Sequence, residues 1–178
     1  MQNKSIKLII AGGGTGGHLF PAFAIADTLK KRISDSAIHF VGSKFGIEAD
    51  KFKSREESFT LLNIRGFGRG LSITSLIRNI LFPLRFMGSY IKTRRLLRTF
   101  SPDIVIGTGG YASGLPILGA IHKGIPTLIH EQNSFPGFTT RWLASRVYRV
   151  CISYHDTERY LKKKISFSRE IQSARNYR

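Results

Sequence analysis

The chain has 178 residues, 42% of them apolar, and carries 28 Lys and Arg against 11 Asp and Glu, a net charge of +17. That length makes one full domain or half of a larger protein, and the apolar share supports a real core. The charge calls for an anionic partner, whether nucleic acid, an anionic membrane or a phosphorylated substrate. Its single cysteine, Cys151, excludes an internal disulfide and fits a reducing cytoplasm. The apolar run Ile6–Ala11 is too short for a secretory signal, and no stretch of about eighteen apolar residues is present to span a membrane.

In chain order, Ile6–Ala11 reads as a strand and Gly17–Arg32 as a helix. Ala37–Val41 is a second strand, Ile47–Phe52 a short helix and Phe59–Ile64 a third strand. A basic loop with Gly66, Gly68 and Gly70 precedes a long helical region, Ile73–Phe100, that Pro83 kinks or splits. Ile104–Gly107 is a fourth strand, Leu115–His122 a helix and Thr127–His130 a fifth strand. Pro136 opens a helix through Leu143, and Val147–Ile152 is the sixth strand. Strands alternating with helices predict an α/β fold with a doubly wound, Rossmann-like parallel sheet. In such sheets ligands sit beyond the carboxyl ends of the strands. The loops at 12–18, 65–70, 108–113 and 131–135 all follow strands, so they are expected on one rim.

Gly12-Gly13-Gly14-Thr15-Gly16-Gly17-His18 joins the first strand to the first helix. Five glycines in six positions form a backbone that turns tightly or lets something approach closely. Free N–H groups and the helix dipole at such a junction favour an anion, so a phosphate or diphosphate is expected there. Such a turn also serves simply to pack a helix onto a strand. A dinucleotide site would want an acidic residue ending the second strand, but that strand ends Val41-Gly42-Ser43. A P-loop would close on Gly-Lys-Ser/Thr, whereas this loop closes Gly16-Gly17-His18. A nucleic-acid binder has no recognisable reading motif here, so no nucleic-acid partner is expected, although a basic, non-catalytic Rossmann-like module binding nucleotide or nucleic acid stays the alternative. No acidic or histidine cluster has metal-ligand spacing.

Between Glu57 and Asp103 there is no acidic residue, while Arg65, Arg69, Arg78, Arg85, Lys92, Arg94, Arg95 and Arg98 fall in that window. On a helical wheel Ile73, Leu76, Ile77, Ile80, Leu84, Met87 and Ile91 share one side, expected to face the core. Arg78, Phe82, Arg85 and Phe86 fall roughly opposite. Phenylalanines among arginines there suit an anionic membrane surface. Packing of Phe82 or Phe86 on a neighbouring element is the other outcome.

The string Gly13-Gly14-Thr15-Gly16-Gly17-His18, followed by Pro21-Ala22, resembles the N-terminal half of the MurG family of glycosyltransferases. The likeness continues at Gly42 to Glu48-Ala49, at Gly66 to Gly70, at Pro102-Asp103 through Tyr111, and at Gly124-Ile125-Pro126 through His130-Glu131-Gln132-Asn133. It is collinear over about residues 5 to 165. That family transfers N-acetylglucosamine from UDP-N-acetylglucosamine to undecaprenyl-pyrophosphoryl-N-acetylmuramoyl pentapeptide in peptidoglycan synthesis. The resemblance implies the N-terminal, acceptor-binding domain of a GT-B fold, peripheral to the cytoplasmic face of the bacterial plasma membrane. It implies an inverting hexosyltransferase without a metal or other cofactor. Thr15, Gly16, Gly17 and Asn133 would meet the donor. Gly13, Gly14, Gly109, Gly110 and Tyr111 would cradle the acceptor diphosphate. His18, at a helix start that favours a neutral base, and Glu131, a carboxylate after the fifth strand, are rival proton acceptors. Hydrogen bonding that only shapes the loop is the bland role for His18.

The family pattern continues past the sixth strand into Gly-Asn-Pro-Val-Arg and a second, donor-binding domain. This chain instead reads Arg169-Glu170-Ile171-Gln172-Ser173-Ala174. Codons exist for those residues that encode Gly-Asn-Pro-Val-Arg when read from the third letter. A frameshift near Ser168 is therefore expected, with residues 166–178 a basic tail, its end out of frame, and 1–165 the domain. A natural one-domain variant is the alternative. With the cleft reduced to one wall, the polypeptide alone is expected to bind but not turn over.

Overall fold

The apolar run that opens the chain becomes a central strand of a six-stranded parallel sheet in a computed structural model that describes residues 5–66 and 72–161. The strands are β1 (Lys7–Gly12), β2 (Ala37–Ser43), β3 (Ser58–Leu62), β4 (Ile104–Gly109), β5 (Thr127–Glu131) and β6 (Arg149–Ile152). Their order is β3-β2-β1-β4-β5-β6, and every neighbouring pair is parallel. The order reverses between β1 and β4, the point at which doubly wound sheets bind ligands. The frameshift, the tail at 166–178 and the domain boundary at 165 lie outside the described residues, as do Gly68, Arg69 and Gly70.

Alternation along β1 divides the core in two. Leu8 and Ile10 face one layer with Leu19, Ala22 and Ala26 of helix α1 (Gly16–Arg32) and with Phe40 and Phe52. The Phe40 and Phe52 rings stack at 5.2 Å, and Phe23 meets Phe40 edge-on at 5.4 Å. Ile9 and Ala11 face the other layer, with Val41, Leu97, Leu115, Ile117 and Leu143. Each fully buried side chain of this size stabilises the fold by about 1.5–3 kcal/mol.

The remaining helices are α2 (Glu48–Lys51), α3 (Ile73–Ile80), α4 (Phe82–Thr99), α5 (Tyr111–Ile121) and α6 (Phe138–Leu143). Pro83 splits the long helical region as expected: α3 ends before it, and it occupies the first turn of α4, where a missing N–H costs nothing. Helix α5 starts four residues earlier than the expected Leu115, directly after Gly110, and runs through Gly114 and Pro116. Burial of every residue from Ala112 to Ala120 outweighs those two breakers.

The wheel expectation for the long region is overturned. Ile73, Leu76, Ile77, Ile80, Leu84, Met87 and Ile91, expected in the core, are all more than half exposed. The core-facing stripe of α3 and α4 is instead mostly small and polar, Ser75, Ser89 and Thr93, with Leu97 the buried apolar residue at its end. A Cβ on Gly119 would lie 2.9 Å from Leu97 and 3.3 Å from Thr93, so α4 and α5 approach too closely for larger residues. Of the residues expected on the outer side, Phe86 packs on the core and stacks on Tyr90 at 6.4 Å. Phe82 is half-buried 5.8 Å from Phe86. Arg78 is half-buried, with Nε out of solvent and unpartnered among the described residues. Arg85 keeps to the surface side, in a cleft described below.

Candidate anion-binding and proton-accepting site

The two glycine turns meet. Gly12 ends β1 and pairs with Gly109 of β4 after a register shift that skips Thr108, across the switch point. Gly14, Gly109 and Gly110 have φ of 89°, 109° and 75°, backbone that only glycine adopts without strain. A Cβ on Gly110 would overlap the carbonyl oxygen of Gly13, and one on Gly109 would lie 2.5 Å from His18 Nδ1. The imidazole of His18, half-buried, is thus seated between the turns. Tyr111 leans over Gly66, whose Cβ would strike its ring, so the third loop reaches the same rim.

Two helix starts open onto this rim. His18 and Leu19 both donate their amides to Thr15 O, at 3.2 and 3.1 Å. Gly16 and Gly17 of α1, and Tyr111 and Ala112 of α5, have no acceptor for their amides among the described residues. Such paired N-termini favour an anion. Gly14 differs from the sequence expectation: its amide donates to Glu48 Oε2 at 2.8 Å. Glu48 is fully buried beneath the turn, and its Oε1 accepts the Ser43 amide at 2.8 Å. A Cβ on Gly13, Gly42 or Gly46 would collide with the Glu48 side chain. Those three glycines therefore make room for a carboxylate. Its signal in the sequence was an acid six residues after Gly42 of β2 and two after Gly46.

The β5 loop supplies the third part. Glu131 is buried, and both its oxygens are taken within its own loop. Oε1 accepts from Asn133 N at 3.1 Å and Asn133 Nδ2 at 2.8 Å, and Oε2 accepts from Gly137 N at 3.1 Å, just before α6. In this geometry Glu131 anchors the 131–137 loop and presents the exposed Asn133 at the rim. Gln132, which sequence reasoning did not single out, lies 3.3 Å from His18 Nδ1 through its Oε1. Its Nε2 donates to Thr108 O at 2.8 Å and to His130 O at 3.1 Å. His130 is buried, which pulls its pKa below the ordinary histidine range against a smaller opposing pull from Glu131.

The family model for the glycosyltransferase family 28 N-terminal domain matches residues 8–152. The chain belongs to this family. It is 44% identical over 153 residues to the UDP-N-acetylglucosamine–N-acetylmuramyl-(pentapeptide) pyrophosphoryl-undecaprenol N-acetylglucosamine transferase of Christiangramia forsetii, covering 86% of this chain and 41% of that protein. The enzyme of the same name from Ruminiclostridium cellulolyticum is 44% identical over 159 residues, covering 89% and 43%. The chain thus spans less than half the length of these curated relatives. Acinetobacter baumannii MurG superposes with a TM-score of 0.72 at 26% identity, over 91% of this chain and 44% of that one. The UDP-N-acetylglucosamine 2-epimerase of Rickettsia bellii shares the fold alone, at TM-score 0.57 and 15% identity. The resemblance to the N-terminal half of the MurG family holds, and the α/β domain is of the GT-B type.

Proposed function

We propose that this chain is the acceptor-side domain of an inverting N-acetylglucosaminyltransferase acting on an undecaprenyl-diphosphate-linked muramoyl pentapeptide. The observation that carries this is the seating of His18 between two glycine turns whose helix starts offer free amides. Gly110, Tyr111 and Ala112 would meet the acceptor diphosphate, with Gly13 and Gly109 shaping the turn. Thr15, Gly16, Gly17 and Asn133 would face UDP-N-acetylglucosamine. In the reaction the acceptor hydroxyl oxygen attacks the anomeric carbon, the bond to the diphosphate oxygen breaks, and UDP leaves with that electron pair. His18 takes the hydroxyl proton, while Glu131 acts only through its loop. Helix-start amides stabilise diphosphate charge without a metal.

The same proposal places the domain against the cytoplasmic face of the bacterial plasma membrane. No helix among the described residues is long and apolar enough to cross a membrane. The contiguous apolar side of α3 and α4, from Ile73 to Ile91, is too exposed for an isolated domain in water. Beside it Lys44, Arg85 and Lys92 line a cleft of about 270 Å³ with Leu61, Asn63 and Leu84. Lys44 and Asn63 directly follow β2 and β3, so this surface borders the rim where the acceptor would arrive. Apolar side chains at the acyl boundary with cations at headgroup level are what interfacial helices use.

Flotation with vesicles tests the proposal. Retention of the 178-residue chain should rise when a polyprenyl-diphosphate-linked muramoyl peptide is added to anionic vesicles. It should exceed binding to single-stranded DNA at matched salt. Equal retention with and without the diphosphate lipid, or tighter DNA binding, would favour the basic nucleotide or nucleic-acid module.

A further inference from the structure

We infer that Gln132 is a positioning residue that sets the tautomer of His18, holding the proton on Nδ1 and leaving the lone pair on Nε2. The catalytic meaning of this rests on the function proposed above. The tautomer itself rests only on the hydrogen-bond network.

The orientation of the Gln132 amide is decided by what surrounds it. Two backbone carbonyls, Thr108 O at 2.8 Å and His130 O at 3.1 Å, lie against the same end. Carbonyl oxygens only accept, so that end must be the NH2 group. Nδ1 of His130 lies 2.9 Å from the same nitrogen, so its two hydrogens are shared among three neighbours, none of which changes the orientation of the amide. The oxygen of Gln132 is therefore the end facing His18, 3.3 Å from Nδ1. An amide oxygen cannot donate. The contact is a hydrogen bond only if His18 carries its proton on Nδ1.

This reverses the usual preference of a neutral histidine, which favours the proton on Nε2. A base must present its lone pair to the substrate proton, and here the lone pair is on Nε2, for which the structure gives no partner among the described residues. Nδ1 is seated against Gly109, where a Cβ would lie 2.5 Å away, so a substrate hydroxyl could not reach that side. Thr108 contributes twice. Its carbonyl orients Gln132, and its hydroxyl donates to His18 O at 2.8 Å, tying the start of α1 to β4. The chain Thr108–Gln132–His18 thus runs from the sheet core to the site.

Long-range 1H–15N correlation spectra of the imidazole nitrogens test this in the full chain, with His18 assigned through His18→Gln. At a pH where His18 is neutral, the wild type should show a protonated Nδ1 and an unprotonated Nε2. Gln132→Met keeps the side-chain length and removes the acceptor; the ratio of Nδ1–H to Nε2–H should fall by about fivefold, the scale of one net hydrogen bond. A wild-type His18 with its proton on Nε2 overturns the inference without recourse to any variant. So does an unchanged ratio in a Gln132→Met chain whose amide spectrum shows the fold retained. Failure of diphosphate-dependent vesicle binding with the Nδ1–H tautomer present would count against the proposed function alone.

Discussion

Glu48 and Gly14 are joined by a 2.8 Å hydrogen bond from the glycine amide to a carboxylate with no solvent access. The first glycine turn is thus held open from below by protein, and only its later amides face the rim. Removing the carboxylate should collapse or loosen the turn. Glu48→Ala leaves the Gly14 and Ser43 amides without their acceptor, a cost of about 2–4 kcal/mol. Glu48→Gln keeps the shape and loses one acceptor, costing about 1–2 kcal/mol. Urea denaturation of the three proteins should rank them in that order.

The exposed side of α3 and α4 should be separable from fold stability. Replacing Ile80, Leu84 and Met87 together by Ser removes little from the core, because all three are more than half exposed. Binding to anionic vesicles should drop at least tenfold, with a melting temperature within a few degrees of wild type. Phe86→Ala should do the reverse. Its ring packs on the core beside Tyr90, so stability should fall by about 1–3 kcal/mol while vesicle binding is kept. Sedimentation with vesicles and thermal melts check both.

Stability should fall in two acid steps. His39 is held by Ser58 Oγ at 2.7 Å and Thr60 Oγ1 at 2.9 Å, and burial lowers its pKa to about 4. A histidine depressed in the native state gives stability that is complete above its unfolded pKa near 6.5 and declines as pH falls toward 4, because the unfolded chain takes up the proton first. About 2 kcal/mol should be lost over that window, allowing for solvent screening. His130 shifts in the same direction. Burial pushes Glu57 up, but hydrogen bonds from Arg55 and Lys30 outweigh it and bring its pKa down to about 2, so its contribution is lost lower, below about pH 4.5. His39→Gln should flatten the upper step and leave the lower one. Unfolding free energies measured from pH 7 to pH 3 give both slopes.

The alternation of apolar runs with glycine loops was enough to place all six strands, their parallel pairing and the shared rim, because each loop follows a strand whose neighbours are dictated by crossover connections. The glycine turns could be read as tight turns because five glycines in six positions mark a backbone that leaves the ordinary regions, and Gly13, Gly14, Gly109 and Gly110 do take positive φ. The orientation of α3 and α4 could not be read. Periodicity shows that Ile73 through Ile91 share a face, but an exposed apolar face has the same period as a buried one. The deciding residue was a small one: Gly119, against Thr93 and Leu97. Glu48 and Gln132 were hidden for another reason. Each acts through a backbone group far away in sequence, at Gly14 and at Thr108, and only the closed sheet brings those together.

The most direct test of the central claim follows backbone amides while a soluble diphosphate-linked sugar is titrated into the 15N-labelled chain. The account predicts that the largest shifts fall on Gly16, Gly17, Tyr111 and Ala112, with Gly14 held near its starting position by Glu48. Shifts confined to the cleft of Lys44, Arg85 and Lys92, with those four amides unmoved, would contradict it.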